Sequence, residues 1–282
     1  MNLENMVKGV AKQVLPKRIQ DFLRFLIRKK RVLISRPKIS FSNPPENSPK
    51  SPFLFPVSRN NPLDELGAKY LPSKRTHNYL IYYWMHFRDI RFDVRKVIEI
   101  GVQTDRSIRM WEDFFPSATI YGIDIDPKCK QFEGGRRKIL IGDQSDSDFC
   151  HQVIQETDGE IDIIIDDGSH RFEHQLKSFS LFFPAMTDHG IYVIEDTGGC
   201  VEDLEFVTVN ALKGLIDNIM YWPKGFDTGN WPHLADFPDE AKWIDKNVIG
   251  IAFYRWIVFV MRGKNPQDNP FLTPLSSNGK MV

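Results

Sequence analysis

Two short acidic clusters are the places in this chain best suited to chemistry: Asp166-Asp167-Gly168-Ser169-His170 and Glu195-Asp196-Thr197-Gly198-Gly199. Each follows an apolar run, IDIII before the first and IYVI before the second, so each lies where a buried strand ends. Neighbouring strands of a parallel sheet lie about 4.8 Å apart, which would crowd Asp166, Asp167, Glu195 and Asp196 into one small region. Carboxylates that close repel one another unless they are protonated or compensated by a cation. A hard divalent ion with oxygen ligands is the economical solution. Consecutive strand residues point to opposite faces, so Asp166 and Asp167 do not easily share one ion. His170 adds an imidazole, a group that titrates near neutral pH and can accept a proton. A lone acidic pair after a strand is more often a cap or a solvated loop. The pairing of two such clusters favours a metal. His174, one helical turn beyond His170, is a weaker candidate ligand, because an i, i+4 histidine pair needs further ligands to matter.

The elements that must position these residues alternate along the chain. Strands are predicted at 96–100, 119–125, 138–141, 162–166 and 190–194, and helices at 107–115, 146–156 and 173–182. Two more β-rich runs, 248–254 and 257–262, are close enough to form a hairpin. Near-continuous apolar strands indicate a parallel sheet covered on both faces. The predicted fold is therefore α/β: a doubly wound, Rossmann-like sheet, mostly parallel, with an antiparallel C-terminal hairpin.

In such sheets a ligand sits beyond the carboxyl ends of the strands, where strand order reverses. The first strand ends in VIEIGVQTD and runs into a helix, with Gly101 as the tight turn. The second ends in IDID, where Asp124 is well placed for ribose hydroxyls. The third ends in IGDQSD, from which Asp143 and Gln144 can reach an adenine amino group. A dinucleotide fingerprint needs glycines so that backbone can meet a pyrophosphate. Here Val102, Gln103, Thr104 and Asp105 follow Gly101 instead, which opposes a diphosphate and suits a cofactor without phosphate.

Glu99-Ile100-Gly101, the acid Asp124 and the Gly142-Asp143-Gln144 segment resemble the motif series of class I S-adenosylmethionine-dependent methyltransferases. The resemblance covers about residues 65–265. It implies S-adenosyl-L-methionine as cofactor, with Glu99 at the methionine amino end, Gly101 at the turn, Asp124 at the ribose, and Asp143 with Gln144 at the adenine. Gln103 and Asp105 depart from the small residues usual in that loop. DDGSH and IEDTGG further resemble the metal-dependent macrolide-sugar O-methyltransferases and the related cephalosporin-tailoring methyltransferase. That likeness implies Mg2+ held by Asp167, Glu195 and Asp196, with His170 as general base. The upstream stretch ELGAKYLPSKRTHNYLIYY is similar to the family's segment that folds over cofactor and substrate, with Lys74, His77 and Tyr79 as candidates. The chemistry fits these residue types. An aliphatic hydroxyl is hardly ionised at neutral pH, and a metal lowers the pKa of an oxygen it binds. An imidazole takes the proton, and positioning supplies much of the acceleration of an in-line transfer.

Charge is unevenly spread. The first forty residues carry eleven Lys or Arg against Glu4 and Asp21, leaving the remainder with twenty-six basic against thirty-five acidic residues. An acidic body is not the footprint of a nucleic-acid binder. Residues 1–36 read as a basic amphipathic helical segment suited to an anionic membrane surface, or to packing on the body or a partner. Seven of the eighteen prolines fall in 37–62, an expected linker, which leaves 63–282 as the catalytic domain. Three cysteines without metal-like spacing argue against a disulfide framework and for a reducing, cytoplasmic setting. The loop 221–238, rich in Trp, Phe, Pro and Gly, is a candidate acceptor lid. The acceptor expected is a small molecule or saccharide, and the resemblance implies a homo-oligomer. Two other readings compete: a non-catalytic cofactor-binding module of the same fold, favoured by Gln103 and Asp105, and a nicotinamide-dependent oxidoreductase, disfavoured by the missing glycines.

Overall fold

A computed structural model of the chain describes residues 61–198, 206–219 and 239–265. The basic segment 1–36, most of the proline-rich linker and the aromatic loop 221–238 lie outside the described residues. The described residues open with three helices, α1 (Pro62–Tyr70), α2 (Ser73–Thr76) and α3 (Leu80–Phe87). The α/β body follows: β1 (Lys96–Ile100), α4 (Asp105–Phe114), β2 (Thr119–Asp124), β3 (Arg137–Ile141), α5 (Ser147–Glu156), β4 (Ile161–Asp166), α6 (Phe172–Phe182) and β5 (Met186–Glu195). The last elements are α7 (Val207–Ile219), α8 (Asp239–Asn247), β6 (Val248–Tyr254) and β7 (Ile257–Arg262).

Local chemistry sets several of these boundaries. Asn61 caps α1 through its side chain with Pro62 at the first turn, and Asp146 caps α5 by accepting from Asp148 and Phe149. The predicted strands and helices are present, with ends shifted by one or two residues. The exception is β5, which begins at Met186 because the polar Thr187, Asp188 and His189 extend the strand past its apolar run. Helices α1–α3, α7 and α8 have no counterpart in the sequence prediction.

The seven strands run in the order β3-β2-β1-β4-β5-β7-β6. β1 to β5 pair in parallel, while β7 joins β5 and β6 antiparallel. Strand order therefore reverses between β1 and β4, the position where ligands bind in open α/β sheets. No helix among the described residues is long and apolar enough to cross a membrane.

Strand parity divides the core in two. Val97, Ile163, Ile165, Ile191 and Val193 face one side, where Tyr83, Phe87, Trp111 and Phe114 from α3 and α4 cover them. Ile98, Ile164, Tyr192 and Ile194 face the other, against Phe179, Phe182, Leu212 and Leu215 of α6 and α7. The same alternation assigns the acids. Glu99, Asp167 and Glu195 fall on the α3–α4 side, and Asp166 on the α6 side.

Gly101 sits at φ +92°, and a Cβ there would lie 2.1 Å from the carbonyl oxygen of Asp167. Both the left-handed backbone and the backbone contact exclude a side chain. Gly101→Ala is expected to lower the melting temperature by at least about 5 °C, given roughly 2–4 °C per kcal/mol for a domain of this size. Differential scanning fluorimetry of the two proteins reads it, and equal melting points would refute the tight approach of β1 and β4.

Candidate active site

The ends of β1, β4 and β5 are level. Asp166 pairs with Ile100 on one side and Ile194 on the other, and the Asp167 amide donates to the Ile100 carbonyl at 2.9 Å. The residues just beyond therefore converge, and they do so around a lysine. Lys74, fully buried at the first turn of α2, places its Nζ 2.6 Å from Asp167 Oδ2, 2.8 Å from Glu195 Oε1 and 3.0 Å from Glu99 Oε1. Tyr79 donates to Asp196 Oδ1 at 2.6 Å, and Tyr83 donates to Glu195 Oε1. Burial alone would lower the pKa of Lys74, but Asp167, Glu195 and Glu99 outweigh it and hold the ammonium well above its ordinary range. Burial, reinforced by repulsion from Asp167, pushes Glu195 up to about 8 against the pull of Lys74.

Glu99 is buried and further fixed by α4, where Ser107 donates to Oε2 at 2.7 Å and Trp111 Nε1 to Oε1 at 3.2 Å. Asp124 accepts the amides of Val102 and Gln103 on one oxygen, at 2.9 and 2.8 Å, and that of Asp126 on the other. It thereby pins the Gly101 loop. Asp143 accepts from the Ser145 amide at 2.7 Å. Gln144 is buried, with Nε2 donating to Asp166 at 3.0 Å and Oε1 accepting the Ser169 amide at 2.8 Å. Its amide thus braces the loop that carries Asp167 and His170.

Asp166 lies on the far face, bound by Ser178 at 2.6 Å and by Tyr192 and Gln144, and burial raises its pKa. On the near side, donor atoms of Asp167, His170 and Asp196 lie within 4.8 Å of one another, each partly exposed. His170 Nε2 is 3.6 Å from Asp196 Oδ2. Two carboxylates and an imidazole open to solvent are a chemically competent donor set for a divalent cation. Glu195 stands behind them, engaged by Lys74 and Tyr83, and His170 takes the third place within that distance. Strand alternation alone would send Asp196 to the α6 side; its φ of +53° breaks the alternation, and its carboxylate stays beside Asp167 and His170. His174 is turned to Ser169, with Nδ1 2.9 Å from its hydroxyl.

Sequence reasoning included Lys74 and Tyr79 only through resemblance and missed Tyr83, Ser107 and Trp111. Tyr79 at the N-cap of α3 and Tyr83 inside it are spaced i, i+4, as are Ser107 and Trp111 within α4, and such polar-tipped pairs on a buried face were the available signal.

No family model matches the chain. Among curated proteins it is similar to mycinamicin VI 2''-O-methyltransferase of Micromonospora griseorubida, 34% identical over 250 residues that cover 79% of this chain and 60% of that protein. It is also similar to demethylmacrocin O-methyltransferase of Streptomyces fradiae, 32% identical over 245 residues, covering 77% and 59%. Among solved structures it resembles MycE methyltransferase from the mycinamycin biosynthetic pathway in complex with Mg, SAH and mycinamycin VI, with TM-score 0.61 and 32% identity over 75% of this chain and 57% of that one. The chain spans about three fifths of the length of the curated relatives it matches. The sheet order and that match define a class I S-adenosylmethionine-dependent methyltransferase fold. Within that class, the chain is related in sequence to the macrolide-sugar O-methyltransferases.

A carboxyl raised from its usual 4.5 to about 8 holds its proton in the folded protein where the unfolded chain has lost it. Stability from Glu195 is therefore present at low pH and declines as pH rises from about 4.5 to 8. His86, lowered by burial, works in the opposite sense, so a difference measurement isolates Glu195. In EDTA, the melting temperature of the unsubstituted protein minus that of Glu195→Gln is expected to fall as pH rises from about 4.5 to 8, a range set by the two titrations. A difference that stays flat would place the Glu195 carboxyl in its ordinary range.

Proposed function

We propose that this chain carries the transfer site of an O-methyltransferase that moves a methyl group from S-adenosyl-L-methionine to a hydroxyl of a sugar, glycolipid or glycosylated natural product, assisted by Mg2+. The observation that carries this reading is the gathering of Asp167, His170 and Asp196 within 4.8 Å at the strand ends beside the Gly101 turn. The relatives named for 2''-O-methylation of mycinamicin VI and for methylation of demethylmacrocin support a glycosylated acceptor. The acidic balance of the body supports a small-molecule acceptor over nucleic acid.

On this reading, Gly101 lets the β1–α4 loop approach the cofactor, and Glu99, buried beneath that loop with its oxygens on Lys74, Ser107 and Trp111, supports the end that takes the cofactor's amino group. Asp124 serves the ribose while holding the loop amides. Asp143 faces the adenine, and Gln144, with its amide engaged, supports that end by bracing the next loop. Asp167 and Asp196 would hold the cation, with Glu195 behind them. Once bound, the cation supplies Lewis acidity that makes an aliphatic hydroxyl easier to deprotonate. His170, whose Nε2 lies 3.6 Å from Asp196, stays out of the cation's ligands on this reading and accepts that proton. Tyr79 steadies Asp196 from the opposite side. The aromatic loop 221–238 stays the candidate lid for the acceptor.

Saturating S-adenosylhomocysteine, at about a hundred times its Kd, is expected to stabilise the domain by about 2.7 kcal/mol, readable as a thermal shift. NAD is expected to give none. A protein indifferent to S-adenosylhomocysteine would sink the reading. With a glycoside acceptor, His170→Ala should lower kcat by roughly 10²–10⁴-fold while S-adenosylhomocysteine binding persists. Asp167→Ala should abolish the activity that Mg2+ supports, so full activity of that variant in EDTA would end the metal mechanism and spare the methyl transfer.

A further inference from the structure

Lys74 has no place in the steps above, yet it is the fully buried cation at the centre of the site. Its ammonium reaches Glu99 at 3.0 Å on the cofactor side, and Asp167 at 2.6 Å and Glu195 at 2.8 Å on the metal side. All three acids lie on the same sheet face, and they arrive from three different strand ends. We propose that Lys74 is a positioning residue that couples the two halves of the site, one ammonium holding the cofactor acid Glu99 and the metal-side acids Asp167 and Glu195 in a single constellation. The inference rests on the methyltransferase reading, since it takes Glu99 to serve the cofactor.

The geometry leaves little alternative for this ammonium. An ammonium has three N–H donors, and three carboxylate oxygens lie within hydrogen-bonding distance of this one. Nothing remains for substrate, and full burial keeps solvent away. The stem is delivered from α2, a four-residue helix entered from the extended Pro72. The next turns of the same segment deliver Tyr79 to Asp196 and Tyr83 to Glu195. One stretch of chain, 74–83, thus supplies the donors that tie the acids together, and Lys74 is the member that spans both ends. Buried acids cannot be kept charged in place without a partner. Changing one acid of the trio therefore redistributes the shared ammonium among the others.

Calorimetric titration of S-adenosylhomocysteine in EDTA, where no metal contributes, tests the coupling. Lys74→Met is expected to weaken binding at least about tenfold, as is Glu99→Gln, and the double variant should lose no more than about threefold beyond the worse single one, because both remove the same interaction. Asp167→Asn, a change on the metal side, is expected to weaken binding at least about threefold in the native background and less than about 1.5-fold in Lys74→Met. A merely structural lysine would lower the melting temperature and leave the affinity of the folded protein intact. Binding by Lys74→Met within about twofold of the unsubstituted protein, or effects that multiply, overturns the proposal. If Lys74→Met does not fold, the Asp167→Asn arm decides alone, and unchanged affinity there overturns it. Failure of the unsubstituted protein to bind S-adenosylhomocysteine removes the methyltransferase reading itself, whereas binding without coupling removes only the role of Lys74.

Discussion

Glu99, Asp167 and Glu195 occupy one largely dry volume at the mouth of the sheet, and like charges there cannot coexist without cations. Two unit charges 4 Å apart interact by about 4 kcal/mol at an effective dielectric of about 20, which is why burial and Asp167 push the Glu195 carboxyl up and the remaining carboxylates need a counter-charge. Lys74 supplies part of it, and the hydroxyls of Tyr79 and Tyr83 solvate two of the acids. This requirement explains why the chain folds α1–α3 over the sheet before the sheet begins. The helices cover an apolar face through Tyr83 and Phe87, and the same packing carries the counter-charge into place. One charge against this many acids still leaves the solvent-facing side short of cations, where Asp167, His170 and Asp196 are open.

Strand parity turns this charge problem into a division of labour. Asp166 and Asp167 are adjacent in sequence and opposite in fate. Asp166 faces α6, where Ser178, Tyr192 and Gln144 satisfy it as an interior group, and Asp167 faces Lys74. Gln144 connects the two faces, since it bonds Asp166 with one end of its amide and the Ser169 backbone with the other. The interior acid therefore serves the open one by fixing the loop between them.

Strand positions, the turn at Gly101 and the meeting of the two acidic clusters were legible because they follow from apolar runs and strand-end residues, which are local patterns. Parity was legible in principle: counting from the buried Ile163 and Ile165 puts Asp167, and not Asp166, on the face of Val97 and Glu99. The short helix around Lys74 was not legible. A lysine between Ser73 and Arg75 carries no periodic signal of burial, and its three partners lie at least twenty-five residues away in the chain. The placing of Asp196 beside Asp167 was equally hidden, because it depends on a left-handed backbone at an aspartate, which composition does not announce.

Left-handed backbone recurs at the site. Gln103, His170 and Asp196 have φ of +49°, +57° and +53°, one on each of the three loops that follow β1, β4 and β5. A non-glycine residue in that region costs roughly 1–2 kcal/mol, so each must be held by its surroundings. Each is. The Gln103 amide is bound by Asp124, the Ser169 amide before His170 by Gln144, and the Thr197 amide after Asp196 by the Trp256 carbonyl at 3.0 Å. Three strained turns, each pinned by a bond from a different element, mean that the loops are shaped by the fold before any ligand arrives. On the proposed function, a site built this way would lower a barrier mainly by having its dipoles and its base already in position. That is the economy expected where the bond-making chemistry belongs to a cofactor and the protein supplies geometry and charge.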